Sequence, residues 1–391
     1  MSEVFIISGA RTPIGSFMGS ISSLSAPKLG AAAIAEAVKR AELTPDEVDE
    51  ALMGNVLSGG IGQAPARQAA IFAGIPEAVP CTTVNKVCGS GMKTAMMAAQ
   101  AIKSGDASVV VAGGMESMSN APYILQKART GYRMGNGELI DMMIHDGLWD
   151  PYKNIHMGGA GELCSRECGI PRERQDEFAA ESYRRALDAQ EAGRFSDEIV
   201  LISVQQGKGD AIEVSQDEEP GRGNISKLPS LRPAFEKDGA VTAGNASAIN
   251  DGGAALVIGD KAAVSKSGVE PLAKILGYAQ HAQAPEWFTT APATAISKLL
   301  DKTGKSVNDV ALFEVNEAFS VVALAVSDKV GIPMDKLNVN GGAVALGHPI
   351  GMTGTRLILT LAYELKRRGG GIGIASPCIG GGEATAIMIE V

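Results

Sequence analysis

The chain has 391 residues, of which 45% are hydrophobic, only 4% aromatic and 48 glycine; 44 acidic against 35 basic side chains leave a formal net charge of −9. That length asks for two or three lobes, and the composition excludes disordered and fibrous classes. The acidic balance argues against nucleic acid as a partner, and no apolar run reaches the length of a membrane span.

The opening MSEVFIISGARTP runs straight into a strand, with neither a basic-then-apolar leader nor an Arg/Ser-rich transit segment. A cytoplasmic location is the expectation, and the five cysteines are expected to be mostly reduced. A helix is predicted from about Ala26 to Ala41, ahead of 44-TPDEVDEALMGNV-56. Then come a strand at TTVN, a glycine-rich turn holding Cys88, a helix rich in Met and Ala, and the β-rich run 108-SVVVAGG-114.

From about Ser119 to Asn250 the character changes to Gly, Met and charge with few clean strands. One helix is predicted in 171-PRERQDEFAAESYRRALDAQEAGRF-195, where Phe178, Tyr183, Ala186 and Leu187 recur at helical spacing and Gly193 ends it. An insertion this long reads as a lid or substrate-binding loop domain, or as a passive elaboration of the fold. Cys164 and Cys168 lie four apart in 161-GELCSRECGI-170 without a second Cys or His cluster, so partly buried helix thiols are expected rather than a metal site.

After the insertion the first order returns. A helix at Thr294–Lys302 precedes 306-SVNDVALFEVNEAF-319, and LNVNGG leads into 347-GHPIGMTGTRLILTLAYELKRRGGGIGIASP-377. Laying Gly91 on Gly354 puts Val111 on Ile374 and Ala112 on Ala375 without a gap. The fold class is therefore α/β, built from two duplicated halves that each pack helices on a sheet. The predicted division is 1–118 with 250–270, an inserted 119–249, and 271–391.

Cys88 precedes Gly89-Ser90-Gly91 at the start of a helix, where unpaired backbone N–H groups and the helix dipole favour thiolate. On this evidence a nucleophile and a packed thiol are equally good readings. The second half tips the balance. His348, one of four histidines, sits in 345-ALGHPIGMTG-354, the turn that the internal repeat relates to the Cys88 turn. Downstream, 376-SPCIGGGEA-384 ends a strand in a turn with Cys378 and three glycines, whose N–H groups suit an oxyanion hole. Two thiols and an imidazole at one pocket would supply a nucleophile, its activating base and a separate proton carrier.

These motifs resemble the thiolase family, and within it the short-chain acetyl-CoA acetyltransferase group. The resemblance spans the chain through SGARTPIGSF, NKVCGSGMK, VAGGMESMS, DGLWDPYKNIHMGGAGE, TAGNASAINDGGAA, EVNEAFS, NVNGGAVALGHPIGMTGTR and CIGGGEA. It implies a five-layer αβαβα fold with a loop domain over the site, assembled as a homotetramer of two tight dimers. It implies reversible Claisen condensation of two acetyl-CoA into acetoacetyl-CoA and CoA, with CoA thioesters as substrates and no metal or organic cofactor. By motif, Cys88 is similar to the acylated nucleophile, His348 to its base and Cys378 to the acid/base thiol. Asn316 resembles the residue that holds a water in one oxyanion hole, and the N–H groups of Cys88 and Gly380 would form the other. Leu148, His156, Met157, Phe235, Ala243, Ser247, Ala318 and Phe319 match substrate-side and pantetheine contacts. Arg222 and Lys227 are candidates for the nucleotide end, with Lys127, Arg129, Arg133, Arg232 and Lys237 offered by the same inserted segment; for any one of them a solvated surface charge is the competing reading.

Alternatives stay open. A 3-ketoacyl-CoA thiolase of fatty-acid breakdown would use the same catalytic residues on longer chains, although the DGLWD…HMG segment resembles the short-chain type. Ketoacyl synthases pair Cys with two histidines, or with His and Asn, where this chain has Asn316 and Cys378. A non-catalytic acyl carrier would have no need of all four residues.

Overall fold

The computed structural model describes residues 3–205, 207 and 209–391; Met1, Ser2, Gln206 and Lys208 lie outside the described residues. Its framework is one long mixed sheet with an internal symmetry. In the N-terminal half, β1 (Phe5–Arg11), β2 (Glu50–Gly54), β3 (Cys81–Val84), β4 (Val109–Ser117) and β5 (Asn250–Gly259) lie in the order β3-β2-β4-β5-β1. In the C-terminal half, β6 (Ala273–Ala282), β7 (Leu312–Val315), β8 (Ile372–Ser376) and β9 (Glu383–Glu390) lie in the order β6-β9-β8-β7. The two meet through a short antiparallel contact of Phe5 and Ile6 with Lys274 and Ala273. Parallel pairs fall at matching places, β2 with β3 and β4, and β7 with β8. Even the mate of β3 has a trace, a single parallel bridge from Phe313 to Leu337 in LNVNGG.

Alternating side chains decide the layers, because successive residues of a strand face opposite sides. On β5, Ala255 and Val257 join α1 (Ala26–Arg40) and α2 (Pro65–Phe72) in an outer core, while Leu256 and Ile258 turn inward. On β9, Ala384, Ala386 and Met388 join an outer core with α6 (Ala291–Thr303) and α7 (Ser320–Val330), while Ile387 and Ile389 turn inward. Between the inward faces lie α3 (Ser90–Ser104) and α8 (Thr353–Arg367), contributing Met92, Met96, Leu357 and Leu361. Reading across gives helix, sheet, helix, sheet, helix: the five layers that the resemblance implied.

The inserted segment supplies α4 (Met157–Glu167) and α5 (Arg172–Glu191), with Gly193 at φ +68° just beyond the second. It is tied to the framework by a fully buried ionic cluster. Arg11, at the end of β1, donates from Nε to Glu198 at 2.7 Å and from its two terminal nitrogens to Asp217 at 2.7 and 2.9 Å. The helix expected at Thr294–Lys302 extends from Ala291 to Thr303, and that expected across 171–195 is Arg172–Glu191. Among the described residues no helix is long and apolar enough to cross a membrane.

Candidate active site

Four turns converge where the halves meet. Cys88 lies between β3 and α3, held in a tight knot: the Lys86 N–H donates to Ser90 Oγ at 2.8 Å, whose hydroxyl donates to the Val87 carbonyl at 2.7 Å. Val87 sits at φ +46°, a left-handed conformation that a β-branched residue adopts only under strain. Strain of this kind collects at functional sites, and here it presents the next residue, Cys88. Gly89 permits the close approach of the Cys378 turn, since a Cβ there would stand 2.2 Å from Ile379 Cδ1.

His348 is buried in the turn before α8, its N–H donating to Asn250 Oδ1 at 2.8 Å. The hydrogen bonds around the ring fix its tautomer. The single hydroxyl proton of Thr353 goes to the Pro349 carbonyl at 2.9 Å, so the Thr353 oxygen accepts from His348 Nδ1–H at 2.7 Å. Nε2 is thereby left with a free lone pair, facing the Asn316 Nδ2 amide at 3.3 Å. Burial and the neighbouring Arg356 depress His348 to about 3, so the imidazole is neutral, with Nε2 unprotonated, at any ordinary pH.

The second sulfur stands on the same amide. Cys378 is fully buried in the short strand Cys378–Ile379, where the Asn316 side chain and the N–H groups of Cys378 and Ala318 favour its thiolate. Burial pushes its thiol far above the ordinary cysteine range, and negative charge on Cys88 pushes it further, which places the two sulfurs in mutual electrostatic reach. Burial also pushes Cys88 up to about 11, outweighing the backbone N–H groups of Gly380 and Cys88 that favour its thiolate. This corrects the expectation of a resting thiolate at a helix N-terminus: the helix begins at Ser90 with Gly89 as its cap, so Cys88 precedes it and desolvation wins. Asn316 Oδ1 is buried without a hydrogen-bond partner among the described residues.

Cys88, His348 and Gly380 open into a mainly apolar cavity of about 240 Å³, whose walls include Leu148, His156, Met157, Phe235, Ser247, Ala318 and Phe319. The His156 ring stacks on Phe235 at 4.8 Å between centroids, and Phe235 meets Phe319 edge-on at 6.1 Å. Ser247 donates from both its N–H and its hydroxyl to the Ala318 carbonyl at 3.0 Å, binding the inserted segment to the turn after Asn316. Ala243, Arg222 and Lys227 are exposed and do not line this cavity; Lys227 lies in the 3₁₀ segment Ile225–Ser230, which packs on α5 through Leu228.

Sequence reasoning did not single out Met118, Ile249, Phe288 and Ile350, which complete the walls, or Thr353. Thr353 carries a readable signal, a hydroxyl five residues beyond His348 at the start of a helix; Phe288 carries none, since the insertion and the C-terminal half meet there only in three dimensions. The paired thiols Cys164 and Cys168 lie with sulfurs 3.9 Å apart, and no group of metal-ligating side chains occurs among the described residues.

The chain is similar to known proteins along its whole length. The description "Thiolase, N-terminal domain" matches residues 4–262 and "Thiolase, C-terminal domain" matches residues 269–391. Acetyl-CoA acetyltransferase 2 of Arabidopsis thaliana is 53% identical over 100% of this chain and 97% of its own length. Acetyl-CoA acetyltransferases of Schizosaccharomyces pombe, at 50%, and Cupriavidus necator, at 48%, align over 100% of this chain and 99% and 100% of theirs. A crystal structure of the Acat5 thiolase from Ascaris suum in complex with coenzyme A superposes with a TM-score of 0.94 at 43% identity, covering 99% of both chains.

Proposed function

The chain belongs to the thiolase family, and from that premise we propose that it interconverts two acetyl-CoA with acetoacetyl-CoA and CoA. It is an acyltransferase, and full-length relatives near 50% identity that bear the acetyl-CoA acetyltransferase name support this short-chain reading over one on longer chains.

Each side chain has a task that its surroundings suit. As acetyl-CoA enters, Cys88 Sγ attacks the thioester carbonyl and gives its proton to His348 Nε2. The tetrahedral oxyanion is held by the N–H groups of Cys88 and Gly380; losing one such donor elsewhere slows reaction about 10²–10³-fold. CoA leaves as thiolate and takes the proton of Cys378, so the enzyme keeps an acetyl group on Cys88, a proton on His348 Nε2 and a thiolate at Cys378. Acylation leaves no ionisable thiol at Cys88, so no charge can form there to oppose the Cys378 thiolate. Cys378, a strong base because of its burial, then removes a methyl proton from the second acetyl-CoA. The enolate oxygen is stabilised by the Nε2–H of the protonated His348 and by a water on Asn316. Its carbon attacks the acetyl carbonyl, Cys88 departs as thiolate and recovers its proton from His348, Cys378 keeps the methyl proton, and acetoacetyl-CoA is released.

No metal or organic cofactor enters any step, so activity should survive exhaustive chelation. A homotetramer of two dimers is the proposed assembly and the cytoplasm the proposed location. The assembly is supported by the edge position of β3 and by the exposed apolar side chains of Phe72, Met134 and Leu139, of which Met134 is 97% exposed. Light scattering on the purified chain tests it.

The observation that carries the catalytic reading is the Asn316 amide reaching both His348 Nε2 and Cys378 beside the cavity that holds Cys88. The test is intact mass after mixing with acetyl-CoA, followed by thiolysis across a chain-length series of 3-ketoacyl-CoA. One acetyl group on Cys88 and a preference for acetoacetyl-CoA are expected. A chain that gains no covalent acetyl group would be a carrier, and equal rates on medium-length substrates would make it a degradative thiolase.

A further inference from the structure

Glu116 is fully buried near the end of β4, in a position that the reaction above does not use. A buried carboxylate in a core is costly unless its oxygens are satisfied. Here both oxygens are saturated. Oε1 accepts from Asn55 Nδ2 at 2.8 Å and from the Leu57 N–H at 3.1 Å. Oε2 accepts from the Val56 N–H at 3.1 Å and from the Gly351 N–H at 3.0 Å. Burial pushes Glu116 up to about 8, and the N–H donors of Leu57, Val56 and Gly351, with no acceptor beside them, favour the ionised form against that penalty.

The donors come from both halves of the molecule. Asn55, Val56 and Leu57 continue β2, and the Asn55 N–H donates to the Val84 carbonyl at 3.1 Å, at the root of the Cys88 turn. Val56 and Leu57 then form the apolar floor on which Cys88 and Ile350 pack. Gly351 belongs to the other half, three residues past His348. No side chain could replace its hydrogen, because a Cβ there would stand 2.5 Å from the Met115 carbonyl and 2.8 Å from Glu116 Oε2. One carboxylate thus joins the floor beneath the nucleophile to the turn that carries its base.

We propose that Glu116 is a positioning residue for the acyl-transfer step: by clamping Gly351 to Asn55–Leu57 it sets His348 against Cys88 across the interface of the two halves. The proposal rests on the acyl-transfer reading of this site. One feature separates it from simple core support. The clamp acts on the Cys88–His348 relation and leaves the substrate walls at Phe235, Met157 and Ser247 untouched, so its loss should slow chemistry without weakening binding.

The test uses the full chain as Glu116→Gln, which keeps the shape but turns an NH₂ group toward backbone donors, and as Asn55→Ala, which removes one donor and introduces no repulsion. Acetylation of Cys88 by acetyl-CoA is followed by rapid quench and intact mass, beside steady-state thiolysis and thermal unfolding. Misplacement of about 1 Å costs about 10²-fold in rate, so acetylation by the Gln variant should fall by about that factor, with KM unmoved. The Ala variant should show a smaller loss in the same direction, and it decides the matter if the Gln variant does not fold. Wild-type acetylation rates per folded molecule, or a loss expressed in KM alone, would overturn the proposal. Failure of the wild-type enzyme itself to acetylate would instead overturn the acyl-transfer reading beneath it.

Discussion

The sharpest consequence of the duplicated architecture is at Gly91. This residue is the second of α3, and the matching Gly354 is the second of α8; the two helices abut there backbone to backbone. A Cβ on Gly91 would lie 2.4 Å from Thr355 Oγ1, 2.9 Å from the Thr355 nitrogen and 3.0 Å from the Gly351 carbonyl oxygen. The hydroxyl can rotate away, but the backbone atoms cannot. Restoring ordinary contact near 3.4 Å therefore separates the helix starts by about 0.5 Å. Overpacking of this kind costs roughly 1–3 kcal/mol of stability. Cys88 and His348 ride on those two helix starts, so half the displacement that costs about 10²-fold should lower kcat about tenfold in Gly91→Ala. Thiolysis of acetoacetyl-CoA gives kcat, and urea unfolding gives the stability change. A variant with wild-type kcat and an unshifted urea midpoint would refute the claim that close packing at this point sets the catalytic geometry.

Other outcomes follow from the same site. Cys378→Ala should still take one acetyl group onto Cys88 while losing condensation by at least the 10²–10⁴-fold usual for a general base, about what a two-sulfur division of labour requires; mass spectrometry and a coupled assay read the two steps separately. His348 is neutral when folded, at about 3 against an ordinary 6.5 when unfolded, so the unfolded state binds the extra proton and stability falls as pH drops through that window. Relative to pH 7, about 2 kcal/mol should be lost from this group at pH 5, and His348→Asn should show a correspondingly shallower decline in urea midpoints. Arg11→Met leaves Glu198 and Asp217 buried without their partner and should cost about 3–5 kcal/mol in unfolding experiments. Arg222→Ala with Lys227→Ala should raise KM for acyl-CoA and leave kcat alone; an unchanged KM would remove both from the nucleotide end.

The sequence disclosed most where one residue type has one physical use. Cys88, His348 and Cys378 stood out because thiols and imidazoles are rare here and these three sit in glycine-rich turns, and the strand alternation that sorts Leu256 and Ile258 from Ala255 and Val257 is a local property. The register of the repeat was legible for a deeper reason. Laying Gly91 on Gly354 by sequence equates two residues that the fold sets against each other: a Cβ on Gly354 would stand 2.4 Å from the Met92 nitrogen, as one on Gly91 would crowd Thr355. Equivalent positions that touch must lie near the pseudo-twofold axis, and the glycines are there because only hydrogen fits. What remained hidden depends on pairs distant in the chain. Nothing local in SGARTP says that Arg11 is buried against Glu198 and Asp217, and nothing local in GGMESMS says that Glu116 reaches Gly351. The helix start at Cys88 suggested a thiolate, yet burial outweighs it, because desolvation is a property of the assembled interface. The axis that brings Gly91 to Gly354 also brings the turns of Cys88 and His348 together, so duplication, followed by divergence of one turn into a nucleophile and its counterpart into a base, accounts for why the site lies between the halves.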